Sequence, residues 1–247
     1  MIKYLPIVLF LFLLTGCENS STKKKSKTIK DGVVKQYRAG HILKNEITFK
    51  DGKKNGIAKS YYKSGKIHNQ VTYLNDIKHG EAIVYYENGN IYQSTQYDSG
   101  RMSGIRKKYR QNGQLMAEIP YQNDMPCKGL KEYLLDGSVK KKYPKIVIKT
   151  IDNILKNGSY ILRFEISDNS KKVDYYPGLA LPKSGCFTEK INPMSSQEKG
   201  VTQLRFDVPT GMFLMEEIHM TAIVTTILGN PFVTDITYNL ALENRGF

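Results

Sequence analysis

A repeat of 24 residues constrains this chain more than any other feature. Gly32, Gly56, Gly80 and Gly104 fall 24 apart, and Tyr37, Tyr61, Tyr85, Tyr109 and Tyr133 keep that spacing five residues into each unit. An aliphatic column follows at Leu43, Ile67, Ile91, Leu115 and Val139, then an aromatic column at Phe49, Tyr73, Tyr97 and Tyr121. Four full units cover 32–55, 56–79, 80–103 and 104–127, and a truncated fifth occupies 128–144. A period of this length marks stacked supersecondary units, none of which can bury its own face.

The columns also define the unit. Ser64-Gly65, Asn88-Gly89, Asn112-Gly113 and Asp136-Gly137 predict two-residue hairpin turns, with positive φ at both central residues. In the first unit Ala39-Gly40 comes one position early, which predicts a turn of different length. After each turn, apolar and polar residues alternate. Ile67, Val71 and Tyr73 oppose Gln70 and Thr72, and Leu115, Ile119 and Tyr121 oppose Glu118 and Pro120. This is the period of a half-buried strand. Pro120 belongs on the outer parity, where a missing N–H costs least. Each unit then reads as two strands, a tight turn and a looser connector such as 74–79. Hairpins stacked side by side give an elongated all-β meander whose edges need protection.

The unit resembles the MORN-variant repeats. Gly80, Tyr85, Tyr86, Asn88, Gly89, Ile91 and Tyr97 carry the likeness most fully, and it extends over about 32–140. It implies scaffold roles for the Gly and Tyr columns and a binding or scaffold module overall. Bacterial proteins of this kind are often labelled antitoxin-like, and other MORN proteins are scaffolds or membrane-associated modules.

The N-terminus reads as an address. Lys3 precedes an apolar run over 5–14, too short to span a bilayer and of signal-peptide form. The run ends in Leu14-Thr15-Gly16-Cys17, which resembles the lipobox of bacterial lipoproteins. That resemblance implies a signal peptide over 1–16, cleavage after Gly16 and lipidation of Cys17. The protein would then be anchored to a membrane of the cell envelope, facing away from the cytoplasm. The plainer alternative is a secretory signal with a chance cysteine. Residues 17–31 are polar and carry Lys23, Lys24, Lys25 and Lys27, which suits a flexible basic tether near anionic headgroups.

Net charge is +14, unevenly spread. Residues 17–144 hold 25 basic against 12 acidic side chains, whereas 145–247 hold eleven of each. Three residues into each unit stand Lys35, Lys59, Ile83, Lys107 and Lys131. Two strands per unit place successive members roughly 10 Å apart. Arg106, Lys108 and Arg110 are expected to thicken this basic stripe. It is a candidate surface for a protein or an anionic envelope component, and equally a solvated face that discourages edge pairing. An exported chain rarely meets nucleic acid, so none is expected as a partner.

From residue 145 the repeat is gone. Segments 145–151, 159–166, 201–208, 218–228 and 232–242 are rich in β-branched and aromatic residues and separated by turn signals. They predict a small antiparallel β-sandwich over 145–247, immunoglobulin-like in a loose sense. A helix over 215–228 is the competing reading, and Thr221, Ile223, Val224, Thr225, Thr226 and Ile227 argue against it. The loop 175–200 is long and holds Pro177, Pro182 and Pro193.

Catalytic signals are thin. His41, His68, His79 and His219 show no metal-ligand spacing, and no phosphate-loop, dinucleotide or nucleophile-elbow motif exists. No metal, cofactor or catalytic residue is expected. Glu216 and Glu217 are adjacent in a strand, so they point to opposite faces and make a poor acid–base couple. Cys127 stands in a connector, a surface position; a bond to Cys186 is chemically allowed outside the cytoplasm and is left open. The leading expectation is a non-enzymatic envelope lipoprotein that binds through its repeats. The alternatives are an antitoxin or immunity protein that neutralises a toxin by contact, and a hydrolase of envelope glycan.

Overall fold

The computed structural model describes residues 31–194 and 199–246. The signal segment, Cys17 and the tether lysines lie outside the described residues. The fold is nearly all β, as the repeat predicts. Strands β1 (Gly32–Tyr37), β2 (Leu43–Lys50), β3 (Lys53–Tyr61), β4 (Ile67–Leu74), β5 (Ile77–Tyr85) and β6 (Ile91–Asp98) run as an antiparallel meander. The short β7 (Arg101–Met102) pairs with β6, and β8 (Gly104–Tyr109), β9 (Leu115–Gln122), β10 (Met125–Pro126) and β11 (Lys131–Glu132) complete the sheet.

The two kinds of turn are exchanged relative to expectation. Asn88, Asn112 and Asp136 do not adopt positive φ; only Gly65, Gly89, Gly113 and Gly137 do. The N–H of Tyr62 donates to Lys66 O and that of Gly65 to Tyr62 O, which closes a three-residue loop. Tyr86–Asn90 and Arg110–Gln114 repeat this bonding. A type I turn followed by a left-handed glycine needs a bulge, and the register shifts beside Tyr61, Tyr85 and Tyr109. The supposed looser connectors are the two-residue turns. Asp51-Gly52, Asn75-Asp76, Ser99-Gly100 and Asn123-Asp124 have positive φ at both positions, between paired flanking residues. The first unit keeps the common loop length, since Arg38 N–H donates to Ile42 O; His41 takes the left-handed position that Gly65 holds.

Both long edges of the sheet are laced. At the three-residue loops, a side chain of one unit donates to the Tyr-column carbonyl of the next. Arg38 Nη2 reaches Tyr61 O at 2.9 Å, Tyr62 Oη reaches Tyr85 O at 2.6 Å, Tyr86 Oη reaches Tyr109 O at 2.9 Å, and Arg110 Nη2 reaches Tyr133 O at 2.7 Å. At the opposite edge, Asp76 accepts from Lys54 N–H through its carboxylate and donates its own N–H to Lys54 O. Asp124 and Met102 repeat that exchange two units further on.

The lacing matters because the sheet has almost no second layer. Between residues 31 and 110 only Ser94 and Thr95 are buried. In β4 both parities are half-exposed, so alternation there does not separate core from solvent. In β9 it does: Ala117, Ile119 and Tyr121 are buried, and Pro120 lies on the outer parity.

The covering layer is the C-terminal sandwich. Strands β12 (Ile146–Asn153), β13 (Ser159–Ile166) and β15 (Val201–Asp207) form one sheet. Strands β14 (Val173–Pro177), β16 (Phe213–Thr225) and β17 (Pro231–Glu243) form the other. Leu162, Phe164, Ile166, Tyr175, Met220, Ala222 and Val224 close its core. The strand expected over 218–228 is the long β16, against the competing helix, and β14 lies partly inside what reads as loop. Six strands make it smaller than an immunoglobulin domain.

Three contacts weld the sandwich to the repeats. Cys127 bonds to Cys186, a separation of 59 residues. Cys127 is buried rather than at the surface, because the segment carrying Cys186 and Phe187 lies over it. Tyr143 stacks on Phe232 at 4.6 Å, and both pack against Ala117, Ile119, Tyr121 and Leu130. Lys128 Nζ meets Asp235 Oδ1 at 2.5 Å.

Two outcomes follow. Tyr86→Phe leaves the Tyr109 carbonyl without its donor and should lower stability by about 1 kcal/mol, read by urea unfolding. Cys186→Ser should cost about 2–4 kcal/mol and make the protein insensitive to added reductant.

Candidate functional site

The register places the residues three into each unit on one continuous line. Lys35 pairs with Glu46, Glu46 with Lys59, Lys59 with Gln70, and Gln70 with Ile83. The line runs on through Ser94, Lys107, Glu118 and Lys131. Paired residues in an antiparallel sheet share a face. Lys35, Lys59, Lys107 and Lys131 therefore do lie together, but with Glu46 set between the first two and Glu118 between the last two. The line is two Lys–Glu–Lys triplets flanking a neutral strip of Gln70, Ile83 and Ser94. Four lysines against two glutamates leave it at +2.

The glutamates are engaged. Glu46 accepts from Tyr61 Oη at 2.5 Å and pairs with Lys35 Nζ at 3.2 Å. Those two partners, Tyr61 first, hold its carboxyl below the usual range. Burial and the same hydrogen bond push the Tyr61 phenol up to about 12. Glu118 accepts from Tyr133 Oη at 2.9 Å, repeating the arrangement three units on. The Tyr column thus does two jobs. Its carbonyls receive the edge lace, and the hydroxyls of Tyr61 and Tyr133 orient the acids between the lysines.

Arg106, Lys108 and Arg110 do not thicken the stripe. Adjacent strand residues alternate faces. Arg106 pairs with buried Ile119 and Lys108 with buried Ala117, so both face the sandwich. The Arg106 guanidinium lies over the Tyr121 ring at 4.5 Å, bonds its hydroxyl at 3.1 Å, and also contacts Met102 Sδ. Burial, then the Arg106 charge, pushes the Lys108 ammonium down. Arg110 is committed to the edge lace. On this second face the glycine and aromatic columns meet, as Gly56 with Tyr73 and Gly80 with Tyr97. A Cβ at Gly56 would stand 3.3 Å from Thr48 at φ +108°. Lys54 and Lys78 sit over the Tyr73 and Tyr97 rings at 5.1 and 4.9 Å.

Sequence reasoning missed Glu132. It is almost fully buried at the junction. Oε1 accepts from Thr226 Oγ1 at 2.6 Å and Asn230 Nδ2 at 2.9 Å, both from the β16–β17 hairpin, while Oε2 pairs with Lys140 Nζ at 3.0 Å. Burial alone would raise its pKa, but these hydrogen bonds outweigh it and the carboxyl ends below its ordinary value. Thr226 and Asn230 lie 94 and 98 residues away, so no local spacing could announce them. Among the described residues no group of three or more His, Cys, Asp or Glu side chains is placed to hold a metal ion. Also among them, no helix is long and apolar enough to cross a membrane.

Comparison with known families agrees with this geometry. Residues 54–75, 78–99 and 102–123 each match the MORN repeat variant. The matched segments make up about a quarter of the chain and lie in β3 to β9, whereas β1 extends the sheet beyond them. No curated protein matches the chain.

The junction has a defined pH signature. A carboxyl with a lowered folded pKa stabilises above its unfolded value, and that contribution is lost as pH falls through the folded pKa. Glu132→Ala should cost more than about 2 kcal/mol at neutral pH. Urea unfolding of wild type and variant should converge as the solution is acidified.

Proposed function

We propose that this protein is a non-enzymatic binding module of the bacterial cell envelope, anchored by lipid at Cys17. It presents the lysine–tyrosine face of its repeat sheet to a protein or an anionic envelope component. One observation carries the reading. The sandwich covers the opposite face of the last repeats and leaves the lysine face open along the line from Lys35 to Lys131, where only Ser94 is buried. A laced, single-layer sheet with one face left open suits display and docking. The MORN repeat variants are consistent with a binding or scaffold role.

The Cys127–Cys186 bond supports export, because disulfides persist outside the reducing cytoplasm. The lipobox-like Leu14-Thr15-Gly16-Cys17 supports the anchor. The basic tether would then hold the repeats close to an anionic surface.

Two measurements test the reading. Cys17→Ser should move the protein from the membrane fraction to the soluble one; unchanged partition removes the anchor. Crosslinking in intact cells should recover a partner whose association weakens with salt. Replacing Lys35, Lys59, Lys107 and Lys131 with Gln should cut that recovery at least about tenfold, equivalent to 1.4 kcal/mol. Full recovery by the quadruple variant rejects the lysine face as the contact.

A further inference from the structure

The segment joining repeats to sandwich reads Lys140-Lys141-Lys142-Tyr143-Pro144-Lys145. Four of these six residues are lysines, and the repeat face makes no use of them. Lys140 has a clear structural role. It neutralises Glu132 and lies over the Tyr143 ring at 4.8 Å. The other three do not share it. Lys141, Lys142 and Lys145 are exposed and form no ion pair among the described residues.

These three lysines rim a cleft of about 670 Å³ at the junction. That volume lies within the range of small-molecule sites. Tyr143 and Phe232 contribute its aromatic wall, and Ser167 and Thr234 contribute hydroxyls. No acidic residue lines it. The wall is fixed in place. Tyr143 Oη accepts from the Glu132 N–H at 2.8 Å, and its ring stacks on Phe232. Lys145 is held on both sides of its own backbone: its N–H donates to Ser167 Oγ at 3.0 Å and its O accepts from Ser167 N–H at 2.9 Å. Charge, hydroxyls and a rigid aromatic surface therefore converge before any ligand arrives, which lowers the ordering cost of binding.

We propose that this cleft binds an acidic saccharide, a sugar ring bearing phosphate or carboxylate. The lysines supply charge-assisted hydrogen bonds to the anion. The faces of Tyr143 are taken by Phe232 and Lys140, so the sugar ring lies along the edge of that aromatic stack, and the hydroxyls of Ser167 and Thr234 meet sugar hydroxyls. A bilayer headgroup carries the same phosphate chemistry, and the titration below separates the two sources. The cleft lies apart from the lysine face of the repeats, and neither proposal depends on the other.

The test is calorimetric titration of the protein, oxidised at Cys127–Cys186, with glucose 1-phosphate, glucose, inorganic phosphate and phosphatidylglycerol vesicles. Glucose 1-phosphate should bind at least about tenfold more tightly than glucose or inorganic phosphate. The exposed-residue variant Lys141→Glu/Lys142→Glu/Lys145→Glu should lose that binding while keeping its unfolding midpoint. Quadruple replacement of Lys35, Lys59, Lys107 and Lys131 should leave it intact. Equal affinity for glucose 1-phosphate and inorganic phosphate would overturn the proposal, as would binding that survives the triple variant. Binding of vesicles through these lysines, without binding of the sugar phosphate, would assign the cleft to lipid headgroups instead.

Discussion

A β-sheet with solvent on both sides must be held from within. Over its first three units the repeat sheet has no apolar layer against it, so backbone pairing alone would leave a twisted ribbon free to slip in register. The side-chain laces at its two edges remove that freedom. Arg38, Tyr62, Tyr86 and Arg110 bind each unit to the next at one edge, and Asp76 and Asp124 do so at the other. Every other feature of the repeats presupposes this. The Lys–Glu–Lys triplets stay in line only because the register does.

The sandwich solves a second problem. The last units carry an apolar face, Ala117, Ile119 and Tyr121, that needs a layer against it. At the C-terminal end the sandwich lies against β9, contributes Phe232 to its apolar surface and places Thr226 and Asn230 on Glu132. A buried carboxylate is costly unless its oxygens are filled, and here both are. The disulfide closes the same junction covalently. The price of this cover is that one face of the last two units is withdrawn from any partner. That turns Arg106 and Lys108 from surface charges into packing groups.

The architecture was legible because it is local. A 24-residue period and five tyrosines at one offset require only that identical units stack identically, and they do. The turns were misassigned for an equally local reason. Asn-Gly favours a two-residue turn in isolation, but the bulge beside each Tyr adds a residue to the loop and leaves only glycine left-handed. Of the four genuine two-residue turns, Asn75-Asp76 and Asn123-Asp124 are weaker signals that tolerate positive φ because short polar side chains can, while Asp51-Gly52 and Ser99-Gly100 use a glycine at the second position.

The sequence by itself determined the all-β class, the repeat unit and the shared line of Lys35, Lys59, Lys107 and Lys131, since each follows from periodicity along the chain. It could not show Glu46 and Glu118 between those lysines, which come from the neighbouring strand through pairing register. Nor could it show that Arg106, Lys108 and Glu132 face the sandwich, that Cys127 is covered and bonded to Cys186, or that Lys141, Lys142 and Lys145 meet around Phe232. Those facts join residues tens to about a hundred positions apart. Only packing brings such residues together, and packing depends on the whole chain at once.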